Sequence, residues 1–82
     1  MDPEDFKNLE NLVVGKKQTK RLLMQSKISK VYIAADADVH SIDDVVALCQ
    51  EKKIPLVYVD KKKELGRMCQ IDVNAAVVAV LI

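Results

Sequence analysis

Half of the 82 residues are hydrophobic and 30% are charged, a balance too apolar for a disordered chain on a length too short for two domains. Thirteen Lys and Arg against twelve Asp and Glu leave a net charge of +1, so any affinity for nucleic acid must come from how charge is distributed. A single small domain (residues 1–82) without a deep cleft, stable by on the order of 5 kcal/mol, is expected.

In chain order, Asp2 before Pro3, with Phe6, Leu9 and Val13 at helical spacing, predicts a capped amphipathic helix ending near Asn11. Val13-Val14-Gly15 predicts a short strand and a turn. No helix breaker occurs over 16–25, where Thr19, Leu22, Leu23 and Ser26 form an inward stripe under a basic outer face, so a helix opens directly after the glycine. The apolar run Val31-Tyr32-Ile33-Ala34-Ala35 predicts a central strand, closed by the turn Asp36-Ala37-Asp38. Ser41 and Asp44 resemble a capping box, and Ile42, Val45, Val46 and Cys49 supply the core face of the helix behind it.

Leu56-Val57-Tyr58-Val59 predicts another strand, with Pro55 confined to its start. Asp60 is then expected to cap a helix carrying Leu65, Met68 and Cys69 inward, and residues 75–82 to form a last, fully buried strand. Strands that are apolar on both sides cannot leave either side wet. Their alternation with helices implies an α/β fold, a small three-layer α/β/α sandwich.

The longest apolar run, residues 75–82, falls far short of the roughly 20 residues that a membrane-spanning helix needs. The acidic start Met1-Asp2-Pro3-Glu4-Asp5 has the wrong sign for a secretory signal, so a soluble cytoplasmic protein with no membrane contact is expected. Cys49 and Cys69 each sit among apolar residues, which fits buried thiols in a reducing compartment, and a single histidine leaves a zinc centre short of ligands.

Charge is strongly polarised along the chain. Lys16, Lys17, Lys20, Arg21, Lys27 and Lys30 follow Gly15 with no acid among them, whereas the first ten residues hold Asp2, Glu4, Asp5 and Glu10. Lys17, Gln18 and Arg21 share one face of the first helical turns, where unpaired backbone N–H groups and the helix dipole already favour an anion. Cations there cost a few tenths of a kcal/mol each, and binding a polyanion is the commonest reason to keep them; a plain solvated face is the alternative. Gln18 can present both a donor and an acceptor to a base edge, and Lys17 can donate to guanine O6 or N7.

Lys61, Lys62, Lys63 and Arg67 form a second basic cluster. Gly66 inside that helix costs about 1 kcal/mol relative to alanine, which points to close packing or backbone approach. Ile71-Asp72-Val73-Asn74 puts two branched apolar side chains in an expected loop, able either to stack on an unpaired base or to turn inward. Asp36 and Asp38 could form a magnesium or general-base pair at a strand end, but no third acid, nucleophile or phosphate loop lies beside them, and a strand-terminating turn is the simpler reading. His40 belongs to the same turn.

Several ordered motifs together carry a resemblance: Val14-Gly15-Lys16-Lys17-Gln18-Thr19, Val31-Tyr32-Ile33-Ala34-Ala35-Asp36-Ala37-Asp38, Ile54-Pro55-Leu56-Val57-Tyr58-Val59, Lys62-Lys63-Glu64-Leu65-Gly66 and the Ala-Val-rich end. Over residues 12–82 the chain resembles the kink-turn RNA-binding ribosomal proteins, the L-seven-Ae and L-thirty-e-like group, in its short bacterial form. The resemblance implies a mixed four-stranded sheet and no catalytic activity, and a monomer without cofactor is expected. It also implies binding to ribosomal or regulatory RNA at a sharply bent internal loop flanked by tandem sheared G·A pairs.

By the same resemblance, Lys17 and Gln18 would face the guanines, Lys16, Lys20 and Arg21 would hold phosphates or base edges, and Gly15 would let the backbone come close. The loop Ile71, Asp72, Val73 and Asn74 would cover an extruded nucleotide, with Lys62 or Lys63 on backbone phosphates. Departures from the family pattern are Lys17-Gln18 for an archaeal Asn-Glu, Val39 for a proline, and Ser26 and Gln70 for glycines. A protein-interaction module that docks on a ribonucleoprotein assembly through its apolar loop is the competing expectation.

Overall fold

In the computed structural model, which describes Phe6, Lys7 and residues 9–82, the apolar segment around Val31 lies inside a four-stranded sheet. Strands β1 (Leu12–Val14), β2 (Ile28–Ala34), β3 (Leu56–Val59) and β4 (Val77–Leu81) take the order β1-β4-β2-β3. β4 runs antiparallel to both β1 and β2, while β3 runs parallel to β2 with Ala34 opposite Val59, so the sheet is mixed. Val31, Tyr32, Ile33 and Ala34 are all fully buried although successive side chains point to opposite faces, so both faces of the sheet are covered. The covering elements are α1 (Lys16–Met24), α2 (Val39–Glu51) and α3 (Lys62–Met68): α1 packs on α2 and β4, and α3 on β2 and β3.

β2 begins before its apolar run because Ile28 is buried and pairs with Leu81. The register slips between Ile28 and Lys30, where the Ser29 hydroxyl donates to the Val80 carbonyl at 3.2 Å. At its other end β2 stops at Ala34. β4 is shorter than the apolar run 75–82 because the Ala75 N–H is drawn to the Lys62 carbonyl at 3.1 Å, outside the ladder.

Two helix caps differ from expectation. α2 opens at Val39 and is capped by Asp38, whose Oδ1 accepts the His40 N–H at 2.9 Å; Ser41 lies inside the helix and Asp44 pairs elsewhere. α3 is capped not by Asp60 but from across the sheet: Asp36 Oδ1 accepts the Lys62 N–H at 2.8 Å. The parallel pairing of β2 with β3 brings the end of β2 to the start of α3, and the nearer Asp60 is left exposed.

The expected first helix lies largely outside the described residues. Within them, Leu9–Asn11 is one turn of 3-10 helix, and the buried Phe6 ring meets Tyr32 edge-on at 4.9 Å between centroids. In α1, Thr19 and Leu23 are buried and Leu22 half-buried, but Ser26 is exposed beyond the helix end, and Met68 of α3 is only half-buried.

Each of the three α-helices ends in the same way. Ser26, Lys53 and Gln70 hold left-handed φ values of 58°, 58° and 59°, and the N–H of the next residue reaches back to the Leu22, Cys49 and Gly66 carbonyls respectively. Ile54 and Ile71, the residues after two of these turns, fold against the core. Cys49 and Cys69 are free and buried, and burial pushes both thiols up, Cys49 to about 11.

Candidate nucleic-acid interface

Gly15 joins β1 to α1 with φ +116°, a conformation that side chains resist, and its N–H donates to the Val77 carbonyl at 3.0 Å. The glycine thereby pins the start of α1 to the start of β4. No side chain caps α1 and no acid occupies its first turn. Lys17, Gln18 and Arg21 line an open hollow of about 360 Å³ on this helix, so spacing and geometry agree on which side chains share a face.

Lys20 lies apart from that trio. Its Nζ donates to Asp44 Oδ2 at 2.5 Å, tying α1 to α2 with both side chains partly exposed. This bond holds the Asp44 carboxyl below the usual carboxylate range, with the charge of Lys16 adding to the effect. The Thr19 hydroxyl, fully buried beneath the same helix, has no hydrogen-bond partner among the described residues.

A second hollow, of about 250 Å³, is lined by Lys63 and Arg67 of α3 and by Ile71, Asp72, Val73 and Asn74. Gly66 makes it possible. A Cβ built at Gly66 would stand 2.2 Å from the Val73 carbonyl oxygen, so only glycine lets the loop press on α3. The Ile71 N–H donates to the Gly66 carbonyl and the Ala75 N–H to the Lys62 carbonyl, both at 3.1 Å, which fixes the loop at each end one helical turn apart. Ile71 turns inward and is half-buried, whereas Val73 stays 68% exposed, so the two apolar side chains of the loop part company.

Lys62 itself does not line either hollow, its backbone N–H being held by Asp36 and its carbonyl by Ala75. Arg67, absent from the residues singled out above for binding, lines the second hollow; its place four residues after Lys63 on one helix was the available signal. A third, apolar hollow of about 210 Å³ lies between the end of β2, α2 and Tyr58, with Val39 exposed on its rim.

The elements that carry the two basic hollows are both tied near the start of β4. Gly15 is bonded to Val77, and Asn74 precedes Val77 by three residues, a main-chain reach of roughly 10 Å. Asp36 and Asp38, the candidate metal pair, are both engaged as helix caps, and no group of three His, Cys, Asp or Glu suited to a metal occurs among the described residues. No helix among the described residues is long and apolar enough to cross a membrane.

Residues 3–82 match the model of the ribosomal protein L7Ae/L30e/S12e/Gadd45 family. The chain belongs to that family. Among similar proteins, the RNA-binding protein TTE2299 of Caldanaerobacter subterraneus subsp. tengcongensis is 51% identical over 67 residues, 82% of each chain. The RNA-binding protein BH0128 of Halalkalibacterium halodurans is 43% identical over 79 residues, 96% of each. In three dimensions the family fold is also that of the 15.5kD RNA binding protein of Giardia lamblia, at a TM-score of 0.87 and 26% identity over 98% of this chain and 67% of that one. Membership of the family makes this a non-enzymatic protein with the α/β family fold, a mixed sheet under three helices.

Proposed function

We propose that this protein binds structured RNA and recognises and stabilises kink-turns, acting as a monomer in the cytoplasm on ribosomal or regulatory RNA. The observation that carries this reading is the Gly15 to Val77 hydrogen bond, which ties the start of the helix bearing the Lys17, Gln18 and Arg21 hollow to the start of β4, three residues after the 71–74 loop. The names of the relatives, all RNA-binding proteins, support the RNA half of it.

An A-form duplex hides its base edges in a deep, narrow groove, while a sharp bend opens that groove and extrudes an unpaired nucleotide. A surface with a base-reading pair on α1 and an apolar-tipped loop after α3 fits the bent form and not the straight one. Binding then draws on a salt-dependent phosphate attraction from Lys16, Lys17 and Arg21 and on base contacts from Lys17 and Gln18. Lys20 shares its ammonium with Asp44, so it offers less net attraction to phosphates than the unpaired cations of the hollow. Because only the bent conformer meets both hollows, binding pulls a flexible RNA toward it.

The test is a titration of a kink-turn RNA against a duplex of equal length. Wild type is expected to prefer the kink-turn, and the double variant Gln18→Ala, Arg21→Ala to lose that preference, with the salt slope falling by about 1 for the lost arginine. Equal binding of the two RNAs by wild type overturns the proposal.

A further inference from the structure

The hollow between α3 and the 71–74 loop is chemically lopsided in a way that phosphate attraction does not explain. Lys63 and Arg67 are donors only, Asn74 is both donor and acceptor, and the Asp72 carboxylate is an acceptor only. Among the described residues none of these four side chains has an ion-pair or hydrogen-bond partner, so each is free to meet a ligand. A carboxylate on a surface that faces phosphates lowers affinity by repulsion unless a donor meets it. On RNA such donors belong to nucleobases and 2′-hydroxyls.

Guanine alone among the four bases presents two adjacent donors on its Watson–Crick edge, N1–H and the N2 amino group, and these match the two oxygens of one carboxylate. Its O6 and N7 acceptors lie on the neighbouring edge and suit a guanidinium. Adenine and cytosine offer one amino group beside an acceptor, and uracil a single N3–H between two carbonyls. Each of those would set a lone pair against the carboxylate.

We propose that this hollow selects guanine at the unpaired position of its RNA, with Asp72 accepting from N1–H and the N2 amino group and Arg67 donating to O6 or N7. The inference rests on the kink-turn reading and adds the base preference and the part of Arg67. At about 250 Å³ the open hollow falls below the roughly 300 to 1,000 Å³ of sites that enclose drug-sized ligands. The backbone ties at Ile71 and Ala75 hold the loop before RNA arrives, so little order has to be created on binding.

The experiment uses four kink-turn RNAs that differ only in the unpaired base, together with a straight duplex, each titrated with wild type, Asp72→Asn and Arg67→Ala. Wild type is expected to bind the guanine RNA about tenfold more tightly than the other three, as one bidentate pair allows. Asp72→Asn, which replaces one acceptor with a donor on an exposed loop, is expected to level the four affinities, and Arg67→Ala to weaken the guanine RNA most. If wild type prefers kinked RNA over duplex yet binds all four alike, or if the preference survives in Asp72→Asn, the inference falls and the kink-turn reading stands. If duplex and kinked RNA bind equally, the kink-turn reading falls and takes the inference with it.

Discussion

Asp36 Oδ1 accepts the backbone N–H of Lys62 at 2.8 Å, across 26 residues of chain. The carboxylate that ends one strand of the sheet thus begins a helix in the next unit, and it couples the turn after β2 to the helix that carries the loop hollow. Replacing it with alanine leaves an N–H at the start of α3 without its partner. Asp36→Ala is expected to lower stability by about 1 kcal/mol in urea unfolding, and Asp36→Asn, which keeps an acceptor, by less.

Gly66→Ala strikes a harder contact. The new methyl would meet the Val73 carbonyl oxygen at 2.2 Å, and the loop cannot yield without breaking its own backbone bond to residue 66. A loss of about 1 to 3 kcal/mol is expected, in line with overpacking elsewhere. RNA titration with the same variant should lose affinity through the loop while a salt series keeps its slope, since no cation has been removed.

The three left-handed helix ends are occupied by Ser26, Lys53 and Gln70, where the side chain crowds its own backbone. Glycine at each is expected to raise stability by about 0.5 to 1 kcal/mol, read as a higher urea midpoint with an unchanged m-value. The gains should add, because the three turns close different helices and share no partner.

Stability should fall at both ends of the pH scale for separate reasons. Asp44 has its carboxyl lowered by Lys20, so its contribution is present above the ordinary carboxylate value of 3.8 and is lost as pH falls through the folded value; Lys20→Met should flatten that acid limb. Cys49 is raised by burial from 9.0 to about 11, so its contribution is present below 9.0 and is lost as pH climbs toward 11. Cys49→Ala should flatten the alkaline slope, whatever it does to the absolute stability, and urea midpoints across the pH range read both effects.

The sequence disclosed what depends on neighbours along the chain and missed what depends on neighbours across the sheet. The unbroken apolar run at Val31 to Ala34 announced a strand covered on both faces, and Gly15 with the cations behind it announced an open helix start. Gly66 announced a close approach, and the Val73 carbonyl supplies it. Asp36, Asp38, Ser41 and Asp60 all compete as helix caps along the chain; Asp38 wins α2 by a contact two residues away, while only the parallel pairing of β2 with β3 brings Asp36 rather than Asp60 to the start of α3. Lys20 reads in sequence like Lys17, since a charge count along α1 has no knowledge of Asp44 on α2. Arg67 lay in plain helical register with Lys63, yet nothing in the spacing revealed that the loop after α3 folds back onto that face.

The ties that hold the 71–74 loop run from main-chain amides to main-chain carbonyls, at Gly66 and Lys62. Folding therefore makes no demand on the side chains of Asp72, Val73 and Asn74, which ride on the scaffold as an exchangeable cassette. On the reading proposed above, a shift of RNA target would need changes at these three positions alone, with the sheet beneath untouched and Gly66 kept for the close approach of the loop.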